Sequence, residues 1–168
     1  MTIGQIFGYL AALMMFLSYQ TKTPKKLIMV QSISVVCIIT HYLLIGATSG
    51  FMLNIVCLCR NFVYFFDDKV KFFKHPLCAY LMAAVMGAVG ALSWQGPVSL
   101  LIIVALMVNT VFMSFNNNQL LRASVIVTSS MILLYNFFMT SYGGMINESI
   151  GIISSIIGLY RYRGQKEE

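Results

Sequence analysis

The chain alternates between long apolar segments and short polar breaks. Seven segments stay apolar for 16 to 21 residues, close to the roughly 17–25 residues that a helix needs to cross a bilayer. This pattern predicts an all-α integral membrane protein with seven transmembrane helices. The predicted spans are Ile3–Tyr19, Leu27–Ile45, Phe51–Phe66, Leu77–Leu92, Val98–Phe115, Leu120–Thr140 and Met145–Tyr160.

The breaks contain residues that end helices. Thr23-Pro24-Lys25-Lys26 follows the first segment, and the glycine-bounded stretch from Gly46 to Gly50 separates the second from the third. Trp94-Gln95-Gly96-Pro97 precedes the fifth segment, where proline is tolerated because the first N–H groups of a helix have no intrahelical partner. Tyr142-Gly143-Gly144 precedes the seventh. Connections this short predict that consecutive helices pack side by side.

Composition excludes several classes of protein. With 59% hydrophobic residues, 10% charged residues and a mean hydropathy of +0.83, a water-soluble domain of this length could not bury its apolar surface. We expect no enzyme, because no nucleophile with a base and no phosphate-binding glycine loop is apparent. We also expect no cofactor and no metal. The net charge of +6 lies in short clusters at helix ends, which favours contact with anionic lipid over nucleic acid.

The basic residues also predict an orientation. Seven crossings put all eleven on one side of the membrane, which is the cytoplasmic side by the positive-inside rule. The expected localisation is the bacterial inner membrane, with a periplasmic N-terminus and a cytoplasmic C-terminus. The eleven residues are Lys22, Lys25, Lys26, Arg60, Lys69, Lys71, Lys74, Arg122, Arg161, Arg163 and Lys166.

An internal repeat is visible in three sets of matches. Leu10, Phe16, Ser18 and Tyr19 recur at an offset of 96, Ser34, His41 and Tyr42 at 95, and Met52-Leu53-Asn54 at 93. Three helices reverse the direction of the chain, so the segment Leu77–Leu92 would act as a linker that lets the second unit repeat the first in parallel. The predicted division is a three-helix bundle in 1–68, a loop and linker helix in 69–96, a second bundle in 97–163 and a tail in 164–168.

Polar residues inside these segments are the candidate site, because polar groups in a bilayer usually face the protein interior or a water-filled path. Asn54 and Asn147 form one pair that the repeat makes equivalent, and His41 and Asn136 form another. Each asparagine could bind a solute or simply link two helices. His41 and Glu148 could bind a proton or cation; His41 could equally be a neutral packing residue, and Glu148 a favourable charge near a helix N-terminus.

Short motifs resemble the SWEET and PQ-loop carriers. Gly46 after an aromatic-rich second segment, Leu53-Asn54-Ile55-Val56, and Ser18-Tyr19-Gln20 before a basic turn are similar to motifs of their three-helix unit. Over nearly its whole length the chain also resembles the YgjV type of bacterial inner membrane protein. Tyr19 in the first unit and Phe115 in the second occupy the positions where the carriers have the proline of the PQ motif. In the second unit Asn116 stands in place of the glutamine of that motif.

The resemblance implies a fold and a function. The expected fold is SWEET-like, with two parallel three-helix bundles and a linker helix (3+1+3). The expected function is transport of a small, neutral or weakly polar solute by alternating access. Tyr42 and Phe137 lie near where the sugar carriers have tryptophan, which adds them to the candidate solute-binding residues. The alternative is a scaffold or receptor-like binder that keeps this fold without transport. Expected partners are the lipid bilayer and a small solute, in a monomer or a homodimer.

Overall fold

The computed structural model describes residues 3–19, 24–66, 76–115 and 118–161. This part of the chain contains seven α-helices and no β-strand, as the apolar pattern predicts. The helices are α1 (Ile3–Tyr19), α2 (Pro24–Ile45), α3 (Thr48–Phe65), α4 (Pro76–Leu92), α5 (Ser99–Met113), α6 (Asn118–Phe138) and α7 (Tyr142–Arg161). Among the described residues, the helical stretch Gln119–Phe138 is the one that is long and apolar enough to cross a membrane, judged by length and composition. The other apolar helices are shorter.

Three helices begin three residues before their predicted starts: α2, at Pro24 rather than Leu27, and also α3 and α7. The sequence analysis places the starts of α3 and α7 at Phe51 and Met145, whereas they lie at Thr48 and Tyr142. The polar and glycine residues of these breaks therefore form the first turn of the following helix. The loops are shorter than predicted because each preceding helix ends in a tight cap.

That cap is the same Schellman motif in both units. At the end of α2, Ala47 N–H donates to Tyr42 O and Gly46 N–H donates to Leu43 O; Gly46 has a φ of +77°. At the end of α6, Ser141 N–H donates to Asn136 O and Thr140 N–H to Phe137 O, and Thr140 has a φ of +51°. This bonding satisfies carbonyls at the helix end. Every residue of the second cap stands 94 positions after its counterpart in the first.

The caps fix the register of the repeat and correct the sequence matches. At an offset of 94, Tyr42 is equivalent to Asn136, His41 to Tyr135, and Asn54 to Glu148. Burial follows the same offset: Leu43 and Phe137, one position after the buried pair, are 59% and 61% exposed. The pairings His41 with Asn136 and Asn54 with Asn147 are therefore each displaced by one residue. In α1 and α5 an offset of 96 is supported, because Ser18 Oγ and Ser114 Oγ donate to the equivalent carbonyls of Met15 and Val111.

The helices form a ring. The third helix of each unit packs on the second helix of its own unit and also on the first helix of the other unit. Within each unit α1 packs on α2 and α2 on α3, and likewise α5 on α6 and α6 on α7. Between units, α7 packs on α1 and α3 packs on α5, while α4 packs against α5 and α3. These interleaved contacts do not confirm two separate three-helix bundles. The same pairs of helices pack in both units, as an approximate two-fold axis between them would require, although α3 packs on α5 less extensively than α7 packs on α1.

Hydrogen bonds place alternate connections at one end of the ring. The start of α1 bonds to the α6–α7 turn through Gln5, and the α2–α3 turn bonds to the α4–α5 turn through Ser49. We call this the N-terminal end. Arg122 bonds to Gly158 and Arg60 to Thr110, away from it. The exterior is apolar, with isoleucine, leucine and phenylalanine side chains exposed on every helix, whereas serine, threonine, asparagine and histidine lie inside.

Candidate functional site

A buried hydrogen bond joins the two units at equivalent positions. Tyr42 Oη donates to Asn136 Oδ1 at 2.7 Å, and the two residues are 2% and 0% exposed. Residues at equivalent positions can contact each other only beside the symmetry axis, so this pair marks the two-fold axis. Asn136 Nδ2 has no partner in the described part of the chain. The axis thus passes through a polar group in the interior.

His41 extends this polar group toward the N-terminal end. Its Nδ1 lies 2.7 Å from Gly4 O and its Nε2 lies 2.6 Å from Ser141 Oγ. A carbonyl oxygen can only accept, so Nδ1 must carry the hydrogen and the Ser141 hydroxyl can donate to Nε2. Both ring nitrogens of a neutral imidazole are satisfied in this way. The geometry supports the interpretation of His41 as a neutral residue that links α1, α2 and the α6–α7 turn.

Tyr135, the equivalent of His41, makes the corresponding contact with the first unit. Its hydroxyl accepts the backbone N–H of Gly50 at 3.1 Å. Gly50 and its equivalent Gly144 leave room for the axial pair: a Cβ on Gly50 would lie 2.9 Å from the ring of Tyr42, and one on Gly144 would lie 2.5 Å from Asn136 Oδ1. Glycine is required at both positions because the backbone approaches a buried side chain.

The only acidic side chain in the described part of the chain, Glu148, is partly buried. It accepts a hydrogen bond from Asn147 Nδ2 at 3.1 Å and another from the Ser129 hydroxyl. It is also close enough to Tyr42 and Cys57 to interact with them electrostatically. These two residues belong to α2 and α3, which lie across the ring from α7.

The two asparagines proposed for solute binding have different surroundings. Asn54 Nδ2 donates to Gly50 O in its own helix at 2.8 Å. The side chain of Asn147 bonds to Glu148, and its Oδ1 is buried without a partner among the described residues. The residue that matches Asn54 by symmetry is Glu148. The interior therefore offers an amide on one side and a carboxyl group on the other.

Phe137 lies outside this site. It is 61% exposed on the outer face of α6 and contacts Phe138 with ring centroids 5.8 Å apart. Its expected role in solute binding is not supported, because the register of 94 gives the interior position to Asn136. On the outer side of Tyr42 a cleft of about 160 Å³ opens between α2 and α3; it is lined by Tyr42, Leu43, Gly46, Thr48, Phe51 and Met52.

A buried cation lies at the other end of α3. Arg60 is 9% exposed, and its Nη1 donates to Thr110 Oγ1 at 3.1 Å while Nε has no partner among the described residues. The side chain turns into the contact between α3 and α5. Asp67 and Asp68, which could face it, lie outside the described residues.

Two glutamines clamp the connections at the N-terminal end, a feature that sequence reasoning missed. Gln5 Nε2 donates to Thr140 O at 2.9 Å and its Oε1 accepts Gly143 N–H at 3.4 Å. Gln95 bonds to Gly46 O and Ser49 N–H at 2.9 and 3.0 Å. The two clamped turns are equivalent at 94; Gln5 belongs to the first unit and clamps the turn of the second, whereas Gln95 lies between α4 and α5 and clamps the turn of the first. The two glutamines are 90 positions apart rather than 94, so the repeat in the sequence does not pair them.

An apolar exterior around a polar interior is the arrangement of an integral membrane protein, the reverse of a soluble fold. Comparison with protein families agrees: a family of bacterial inner membrane proteins, Imp-YgjV, matches residues 2–166. The chain belongs to this family. No curated protein and no solved structure matches it.

Proposed function

We propose that the chain is a carrier that moves a small, neutral or weakly polar solute by alternating access, with the periplasmic side at the N-terminal end. The observation that carries the proposal is the Tyr42–Asn136 bond on the two-fold axis. A buried polar group between two equivalent halves is where a carrier holds its solute while the halves rock.

The surroundings of the axis fit this solute class. Hydroxyl and amide groups from Tyr42, Asn136, Asn54 and Asn147 offer both donors and acceptors. The contacts between units include the hydrogen bonds Tyr42–Asn136 and His41–Ser141, which could break and re-form during a rocking movement. The proposal that this transport is SWEET-like or PQ-loop-like rests on the motif resemblance alone.

Uptake into proteoliposomes tests the proposal. The purified chain is screened against a panel of small sugars, polyols, amides and amino acids, and Tyr42→Phe and Asn54→Ala are compared with wild type. Each variant removes one side-chain hydrogen-bonding group. If this costs about 1.4 kcal/mol of solute-binding free energy, the affinity for the solute falls about tenfold. Phe137→Leu is the matched control on the exterior and should transport normally.

The proposal fails if no solute in the panel moves, or if the interior variants match the wild type. Specific binding of a solute without movement across the bilayer would instead support a non-transporting receptor or scaffold with this fold. Mass measurement of the chain in detergent or lipid nanodiscs would determine whether it is a monomer or a homodimer.

A further inference from the structure

Glu148 differs from the other interior polar groups because it can carry a charge. Its two hydrogen-bond partners, Asn147 and Ser129, are neutral. It forms no ion pair with Arg60, whose guanidinium bonds to Thr110 and Asn61. An unpaired charge inside a protein costs several kcal/mol, so the neutral acid is strongly favoured wherever water is excluded.

Among the described residues, the titratable and charged groups around Glu148 do not form an ion pair with it. On the helices that pack against α7, α1 carries Tyr9, and α6 carries Tyr135 and Arg122; the guanidinium of Arg122 donates to Gly158 O, near the other end of α7. Across the ring are Tyr42 and Cys57, together with His41, whose ring nitrogens bond to Gly4 O and Ser141 Oγ and not to Glu148. A proton can neutralise the carboxylate without any change in these contacts.

The position of Glu148 connects its charge to the repeat. Its equivalent, Asn54, is an amide that cannot ionise, so the two halves of the interior are alike in shape and different in charge. Opening the ring toward either side would admit water to Glu148 and stabilise the carboxylate. Closing the ring would favour the neutral acid. Protonation and the movement of the two units are therefore linked by the same solvation energy.

We infer that Glu148 is a proton-binding site in the interior of the bundle, which takes up a proton when the ring closes and releases it when water reaches the carboxylate. The proton adds to one carboxylate oxygen, and Ser129 and Asn147 continue to donate to the group. Coupling of this proton to solute movement rests on the proposed function, whereas proton binding itself does not.

Infrared difference spectroscopy on the full chain in liposomes tests proton binding without any solute. Between buffers of about pH 6 and about pH 10, a range in which ordinary exposed carboxyl groups are already ionised, the wild type should lose the carbonyl stretching band of a protonated carboxylic acid. Glu148→Gln should abolish this band, and Glu167→Gln, in the tail, should leave it unchanged. If no band titrates, or if Glu148→Gln retains the full band, the assignment is wrong. Glu148→Asp keeps the carboxyl group and should restore a titrating band.

Two further measurements separate the alternatives. A primary amine such as methylamine should remove the band at constant pH only by competing with the proton, so that lowering the pH restores the band; loss that a lower pH does not reverse would mean that the site binds an organic cation and would overturn the proton assignment. In proteoliposomes with a trapped pH indicator, solute addition should cause proton movement that Glu148→Gln loses while solute exchange continues. Proton binding without any solute movement would contradict the carrier function alone.

Discussion

The contact between Gly8 and Gly143 is the tightest junction between the two units, and alanine at Gly143 tests it. A Cβ on Gly143 would overlap the Cα and carbonyl carbon of Gly8, which are backbone atoms that cannot rotate away. Non-bonded carbons prefer 3.5–4.0 Å, so α1 and α7 would have to separate. Overpacking costs about 1–3 kcal/mol, and the upper end applies because the obstacle is backbone. A gain of at most ~1 kcal/mol in helix propensity offsets part of this.

We therefore expect Gly143→Ala to lower the free energy of unfolding by about 2 kcal/mol. The measurement is equilibrium unfolding in mixed micelles titrated with sodium dodecyl sulfate, followed by circular dichroism. Gly87→Ala is the matched control, because its Cβ would meet only the flexible end of Met107, at 3.2 Å from Sδ. That variant should be as stable as the wild type or slightly more so.

Equal stability of the two variants would show that α1 and α7 are not in close contact, and the packing of α7 on α1 would then be wrong. Gly8→Ala provides a second check, since its Cβ would lie 2.9 Å from Gly143 Cα. The double variant should be less destabilised than the sum of the singles, because one separation of the helices relieves both overlaps.

Two more predictions concern the interior and the topology. Thr110→Val should lower the free energy of unfolding by about 1.5–3 kcal/mol, because the charged Arg60 loses a hydrogen-bond partner. Thr128 is equally buried but bonds only to its own helix, so Thr128→Val should cost less in the same unfolding titration. Equal costs would mean that the Arg60–Thr110 contact does not stabilise the fold. In a cysteine-free background, Thr48→Cys and Tyr142→Cys should both react with an impermeant thiol reagent from the periplasmic side, and reaction from the cytoplasmic side would contradict the orientation.

The number of helices was predictable and the register of the repeat was not. Apolar runs separated by Pro24, Gly46 and Pro97 suffice to predict seven helices, since length and helix-breaking residues determine them. Identical residues then favour pairing Asn54 with Asn147. The register is set instead by the two Schellman caps, and Thr140 occupies the left-handed position that glycine occupies in the first unit. A non-glycine residue there gives no sequence signal.

The candidate site was predicted in part for the same reason. Asn136, Tyr42 and His41 lie in the interior because polar groups avoid lipid, and this rule can be applied to a sequence. Phe137 was assigned to the site through the resemblance to the sugar carriers; at the register of 94 the equivalent of Tyr42 is the preceding residue, Asn136, and one residue on a helix turns a side chain by about 100°. The partners of Gln5 and Gln95 depend on how the units pack, so local pattern cannot reveal them.

The packing of α7 on α1 and of α3 on α5 has a consequence for how this chain could have arisen and how it can be divided. Each half supplies the helix that covers the other, which is the arrangement of a domain-swapped dimer joined into one polypeptide by α4. Separating the halves would remove the contacts of α7 with α1 and of α3 with α5, so each half should be less stable when expressed alone. Co-expression of the segments before and after the α3–α4 connection should rebuild the ring, and a single half could do so only by pairing with a copy of itself.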